Sequence, residues 1–274
     1  MIRCFRLISI LAILLLAGCS PERNLARKYV KTHNGTGIMI VPLYEMYKDN
    51  LTLNYDTAIK YSPDQLDSLA WEQSCFIKHV SDSVFLTLFT NSLINKLNSE
   101  GFDVYVDGSS DIFLSLPDPK WMVQIAQLQL NEEHMFNYTE VYSEETGEPI
   151  TDSLRINQVT LSSWFEVSRA NTGNKQVLFL EGYIQDNIKH GVDFNLMEGS
   201  VGLKQDRDSI DMDDVKRMAY DLGKKHAELL YDYFINDYIR DNLPSGIINR
   251  KYFYFDHKSK SLKQGQKERF DVVN

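Results

Sequence analysis

Four places in the sequence carry side chains that could do chemistry. Asn131-Glu132-Glu133-His134 sets two carboxylates beside an imidazole, the functional groups of general acid–base catalysis. The run continues an alternating apolar stretch, and adjacent strand residues point to opposite faces, so it reads as an exposed strand end. Asp206 to Asp214, DRDSIDMDD, gathers enough carboxylates to suggest Ca2+. Ile210 breaks the calcium-loop pattern and the required glycine is missing, so these acids are read as the first turn of a helix, where they complement its dipole. Cys75, between Ser74 and Phe76, has no His and Asp constellation around it and reads as a buried structural thiol rather than a nucleophile. His226 falls in an apolar helical stripe and reads as a hydrogen-bonded core histidine. No G-x-S-x-G, H-E-x-x-H, C-x-x-C, Walker A or Rossmann fingerprint is present. The sequence therefore nominates no catalytic residue, no metal ligand and no cofactor, and the chain reads as non-catalytic.

The elements around these residues follow from their periodicity. Gly37 to Glu45, GIMIVPLYE, is a compact apolar run that predicts a buried strand. Ser62, Pro63 and Gln65 open a helix with Leu66, Leu69 and Ala70 on one side. A second helix begins near Asp82, its stripe Phe85, Leu88, Phe89, Ser92, Leu93, Lys96 and Leu97 ending at Gly101. Phe102 to Gly108 then alternates as a strand, completing a βαβ unit. Trp121 to Leu130 alternates with a change of phase that predicts a bulge near Ala126. Strands are expected at about 159–169 and 176–185, joined by the hairpin turn ANTGNK, and a further one at about 192–203. A long helix from about Asp211 to Ile239 carries Val215, Met218, Leu222, His226, Leu229, Leu230 and Tyr233 in one stripe. Two terminal strands, KYFYFD and ERFDVVN, flank a basic turn from Lys258 to Lys267. The fold class expected is α+β: one α/β sandwich domain, a largely antiparallel sheet covered by helices.

The chain begins differently. Arg3 and Arg6 precede an apolar stretch from Leu7 to Ala17 that is too short to span a bilayer, the layout of a secretory signal. Leu16-Ala17-Gly18-Cys19 matches the lipobox, so the segment resembles bacterial lipoprotein signals. The resemblance implies diacylglycerol on the Cys19 sulfur, cleavage after residue 18 and acylation of the new amino terminus; Ser20 in place of Asp favours the outer membrane. Cleavage would remove Cys4, leave Cys75 without a disulfide partner, and shift the formal net charge from -9 to -11 through loss of Arg3 and Arg6. That balance argues against nucleic acid as a partner. Residues 19–35 form a tether with a helix: Ser20 as N-cap, Pro21 first, and Asn34-Gly35 as the stop. Leu25, Ala26, Tyr29 and Val30 share one side and Arg23, Arg27, Lys28 and Lys31 the other. This helix could lie on an anionic headgroup surface through those four basic residues, or pack its apolar face on the domain. The main domain spans 36–245 and a C-terminal strand hairpin 246–274.

The IMIVPLY strand, the helix after it and the GFDVYV strand resemble the periplasmic domains of envelope accessory lipoproteins: penicillin-binding-protein activators, the curli secretion lipoprotein and ABC-transport auxiliary lipoproteins. The likeness covers residues 36–107; the strand-rich second half departs from it, and no functional residue is carried over. Asp followed by Ser or Thr and an apolar residue recurs at Thr57, Ser68, Ser83, Ser153 and Ser209, where average composition gives about one or two occurrences. The triplet resembles an O-glycosylation sequon of one group of Gram-negative bacteria; helix caps and turns, notably at Asp82 and Asp208, are the other reading. The leading expectation is an outer-membrane-anchored lipoprotein whose non-catalytic domain, facing the periplasm or the exterior, docks an envelope protein. A glycan- or solute-binding lipoprotein is the alternative, for which Trp71, Trp121 or Trp164 would line a groove, although all three read as core residues. An enzyme acting on envelope glycan or lipid is the third.

Overall fold

The computed structural model describes residues 20–53, 61–142, 149–171, 175–195, 200–246 and 251–273. In chain order these form α1 (Pro21–Thr32), β1 (Gly37–Val41), β2 (Tyr47–Asn50), α2 (Pro63–Gln73), a 3-10 turn (Ile77–His79), α3 (Asp82–Ser99), β3 (Asp103–Tyr105), α4 (Ser110–Ser115), β4 (Trp121–Tyr142), β5 (Pro149–Arg169), β6 (Lys175–Gln185), β7 (Asn187–Asn195), β8 (Ser200–Asp208), α5 (Met212–Asn242), β9 (Tyr252–Asp256), β10 (Ser261–Gly265) and β11 (Asp271–Val273).

The main sheet is open and mostly antiparallel, as the alternating strands predict. Its order is β11-β6-β5-β4-β1-β3, with β2 beside β4 farther along the strand. β4, β5, β6 and β11 are antiparallel neighbours, whereas β1 runs parallel to β3 and to β4, and β2 parallel to β4. The expected βαβ unit is therefore β1-α3-β3. The chain leaves β1 for one side and returns across it to β4 on the other, so two right-handed crossovers must use opposite faces. Gly37 records the second crossover. A Cβ there would lie 2.5 Å from the Leu116 side chain and 3.7 Å from Phe113, at the end of α4, while its neighbour Ile38 faces the main core.

That core lies between the sheet and helices α1, α3 and α5. Trp121, Val123 and Ile125 face it, and so do Leu128 and Leu130, because the register shifts between Ile125 and Gln127. The bulge expected near Ala126 thus keeps both apolar phases on one face. Helix α3 buries Phe85, Phe89, Leu93 and Leu97, and α5 buries Val215, Met218, Leu222, Leu230, Phe234 and Ile239, as their stripes require. The two helices touch backbone to backbone at Gly223, where a Cβ would sit 2.3 Å from the Phe89 carbonyl oxygen.

Four expectations need correction. β4 and β5 pair continuously from Trp121↔Arg169 to Tyr142↔Pro149, making a far longer hairpin than the apolar alternation outlined. The single strand expected at 192–203 is instead a hairpin, β7 with β8, from Asn187↔Asp208 to Asn195↔Ser200. The polar residues at both ends of that segment carry no period-two signal, so the sequence outlined only its middle. The basic stretch Lys258 to Lys267 contains β10, which pairs with β9, whereas β11 leaves that hairpin and joins the main sheet against β6. Nor is residues 246–274 a separate unit, since Tyr252, Phe253 and Phe270 belong to the common core. Helix α5 presents two side chains that hold β9 as a neighbouring strand would. Asn236 donates to the Phe253 carbonyl at 2.7 Å and accepts from its amide at 2.9 Å, and Asp232, one turn away, accepts from the Phe255 amide at 2.8 Å.

Candidate functional site

The residues nominated for chemistry do not converge. Glu132 is buried rather than exposed. Its Oε2 accepts from the Ser74 hydroxyl at 2.7 Å and the amides of Phe76 and Ile77 at 2.9 and 3.2 Å, and its Oε1 accepts from the Cys75 amide at 2.8 Å. The carboxylate caps the 3-10 turn against β4, so the expected exposed strand end is a structural anchor. The neighbour Glu133 points to the other face and accepts from Gln158 and Thr160, both at 2.8 Å. His134 returns to the first face, where burial and then the Arg155 charge lower its pKa. Cys75, expected to be buried, is exposed: Ser74 and Phe76 take the inward positions and the thiol turns to solvent.

Of the carboxylates at 206–214, Asp211, Asp213 and Asp214 build the start of α5, as expected, whereas Asp206 and Asp208 lie on β8. Asp211 is the N-cap, accepting from the amides of Asp213 and Asp214, both at 2.9 Å, and the bond from Asp214 is the first cause of its lowered pKa. Asp213 and Asp214 pair with Lys216 and Arg217 one turn on. Neither Asp82 nor Asp208 is a cap. Ser81 precedes α3, and the Asp82 carboxylate instead accepts from the Met46 amide and pairs with Lys48. His226 is fully buried between Phe89 and Phe165, its Nε2 2.8 Å from the Ser163 hydroxyl. Burial pushes its pKa down to about 3, so it is neutral.

Of the three tryptophans, Trp121 is in the core, Trp164 is half-buried against Phe179, and Trp71 is 46% exposed beside Lys48, contrary to its reading as core. Ser68, Ser83 and Ser209 are on the surface, and Ser68 donates to the Asp64 carbonyl within its own helix. Thr57, the side chain of Ser153, and Cys19 lie outside the described residues. Among the described residues, no group of three His, Cys, Asp or Glu side chains is placed to hold a metal ion, and no helix is long and apolar enough to cross a membrane.

One surface does gather the nominated residues. Helix α1 starts at Pro21, capped by Ser20, whose hydroxyl accepts from the Arg23 amide at 3.2 Å. Ala26 and Tyr29 are buried against the body, with Tyr29 near Tyr231 and Tyr238 of α5, so the apolar face packs on the domain. The opposite side leaves Arg23, Arg27, Lys28 and Lys31 all exposed. The end of α1 is fixed as firmly. His33 is buried, with Nδ1 3.1 Å from the Tyr29 carbonyl and Nε2 2.7 Å from the Glu100 carbonyl, and the Gly35 amide donates to the Gly101 carbonyl at 2.8 Å.

Gly101 has φ +97, and a Cβ there would meet the Asn34 side chain at 2.4 Å. The Glu100 carboxylate binds Lys96 and, at 2.9 Å, His257 Nδ1. Burial pushes that carboxyl up, but the hydrogen bonds from His257 and Lys96 outweigh it and hold it at about 2. This hub joins α1, α3 and the β9–β10 turn. Sequence reasoning missed it because Glu100 looks like an ordinary surface acid at a helix end; the adjacent Gly101 stop was the only signal. Comparison with models of known protein families gives no match, and comparison with curated proteins gives none.

Proposed function

We propose that the chain is an outer-membrane-anchored lipoprotein whose α+β domain docks a protein partner of the cell envelope, with no catalytic step of its own. The observation that carries the reading is the docking of α1. Only Ser20 separates Cys19 from the first helical residue, Pro21, a chain length of about 7 Å at full extension. With α1 packed into the core and stitched to Glu100 and Gly101, acyl chains on Cys19 would hold the whole body at the bilayer without a flexible tether. Arg23, Arg27, Lys28 and Lys31 then meet anionic headgroups, at about 1 kcal/mol each near a charged surface. A body held this way meets envelope partners at high local concentration and in a restricted orientation.

Membrane fractionation of the native protein and of Cys19→Ala tests the anchor: the first belongs in the outer-membrane fraction and the second in the soluble one. Replacing the four basic residues with Gln should weaken binding of unlipidated protein to anionic vesicles, and unchanged binding would remove the headgroup contact from the reading. Native protein should co-purify with one envelope protein after cross-linking in cells.

A further inference from the structure

Strand β6 is an edge strand for half its length. β11 pairs with Val177, Leu178 and Phe179, and then Phe270, the residue before β11, turns away to pack on Tyr233 and Tyr252. Among the described residues, nothing pairs with Leu180 to Gln185 on the side away from β5. An unpaired edge of about six residues offers a row of donors and acceptors about 20 Å long. This edge borders a groove of about 800 Å3 between Tyr183–Gln185 and the first three turns of α5. Ile184, Met218 and Leu222 give the groove an apolar floor, and Leu222 fits closely over Gly182, where a Cβ would lie 2.3 Å from it. Asp208, Asp211, Asp214 and Asp221 line it as well, against a single guanidinium, Arg217. Tyr183 is 59% exposed at the mouth.

We propose that this edge and groove receive an extended, basic segment of the partner protein as an added β-strand. The inference rests on the docking reading and names the surface that performs it. The chain already uses the neighbouring half of the same edge in this way, with its own C-terminal residues in β11. Side chains of the added strand that stand beside Gly182 and Ile184 turn toward α5, because cross-strand neighbours share a face, and rest on Met218 and Leu222. Lysine or arginine residues at the rim reach Asp214 and Asp221. Main-chain pairing supplies affinity and the acidic rim selects the partner's sign of charge.

The probe is a synthetic peptide of about eight residues alternating valine and lysine, long enough to cover the edge. It is added to the isotopically labelled mature chain carrying Cys19→Ser. Amide shifts should concentrate at Leu180–Gln185 and along Asp214–Leu222. Methylating alternate peptide nitrogens should weaken binding at least about tenfold, because pairing to the edge is lost. Asp221→Lys, an exposed change that leaves the core untouched, should also weaken it about tenfold, and a valine–glutamate peptide should not bind. Equal binding of the methylated peptide, or shifts spread over other acidic surface, would overturn strand addition. A photo-cross-linker in place of Tyr183, compared with one in place of Tyr44 at the end of β1, separates the two readings in cells. Capture from Tyr44 alone overturns the groove and leaves docking intact, and capture from neither position or any other surface position overturns both.

Discussion

Burial of His226 makes folding stability depend on pH in a way that can be isolated. The imidazole has a pKa of about 3 in the folded protein and about 6.5 in an unfolded chain. Between those values the unfolded state holds one more proton, so stability is full above pH 6.5 and is lost as pH falls toward 3. The slope approaches about 1.4 kcal/mol per pH unit below pH 6.5, a loss of about 2.3 kcal/mol between pH 6.5 and 4.5. Asp232 runs the other way. Burial pushes its carboxyl up to about 7, against the pull of the Phe255 amide and Arg269, so its proton stabilises the fold below pH 4 and that contribution is lost as pH rises through 7. The two slopes oppose each other in wild type, so the measurement must be a difference. His226→Gln keeps a hydrogen-bonding partner for Ser163 and does not titrate. Urea unfolding of both proteins at half-unit steps should show the variant's stability relative to wild type rising by about 2–3 kcal/mol from pH 7 to 4.5. Parallel curves, separated by a constant within about 0.5 kcal/mol, would refute a dry, neutral His226.

Three further outcomes follow from single contacts. Gly223→Ala should destabilise by about 2 kcal/mol or more in denaturant unfolding, although alanine is the better helix former by about 1 kcal/mol, because its methyl would collide with the Phe89 carbonyl oxygen; a stabilised variant would disprove the close crossing of α3 and α5. Glu132→Gln should cost about 2–3 kcal/mol by the same assay, since one oxygen cannot serve the Ser74 hydroxyl and the Cys75, Phe76 and Ile77 amides, and a loss under about 0.5 kcal/mol would contradict the cap. Cys75 should react with Ellman's reagent in folded Cys19→Ser protein at close to the rate of the unfolded chain, and protection until unfolding would restore the buried thiol.

Much of the fold was legible because long amphipathic periods survive translation into burial. The stripes of α3 and α5 and the phase change at Ala126 all sit where their spacing placed them. What escaped was structure held by polar groups. Glu132 reads as solvated because nothing local says that three consecutive amides of a distant turn will converge on it. The same holds for Asn236 and Asp232, whose partners lie on β9 and depend on tertiary placement. β7 and β8 read as one strand in the sequence because strand ends rich in Asn, Lys, Asp and Gln lack apolar alternation. For the candidate site, the basic face of α1 was visible in the sequence, but the choice between membrane and body for its apolar face was not, since both bury the same side. The edge of β6 was hidden for another reason: where β11 stops is a property of the assembled sheet.

Cross-linking the tagged protein in intact cells, followed by mass spectrometry of what co-purifies, tests the proposed function most directly. The account predicts one stoichiometric envelope protein, cross-linked to the domain and recovered in greatly reduced amount from cells carrying Cys19→Ala. Recovery of the protein alone, under conditions that capture known envelope complexes, would contradict it.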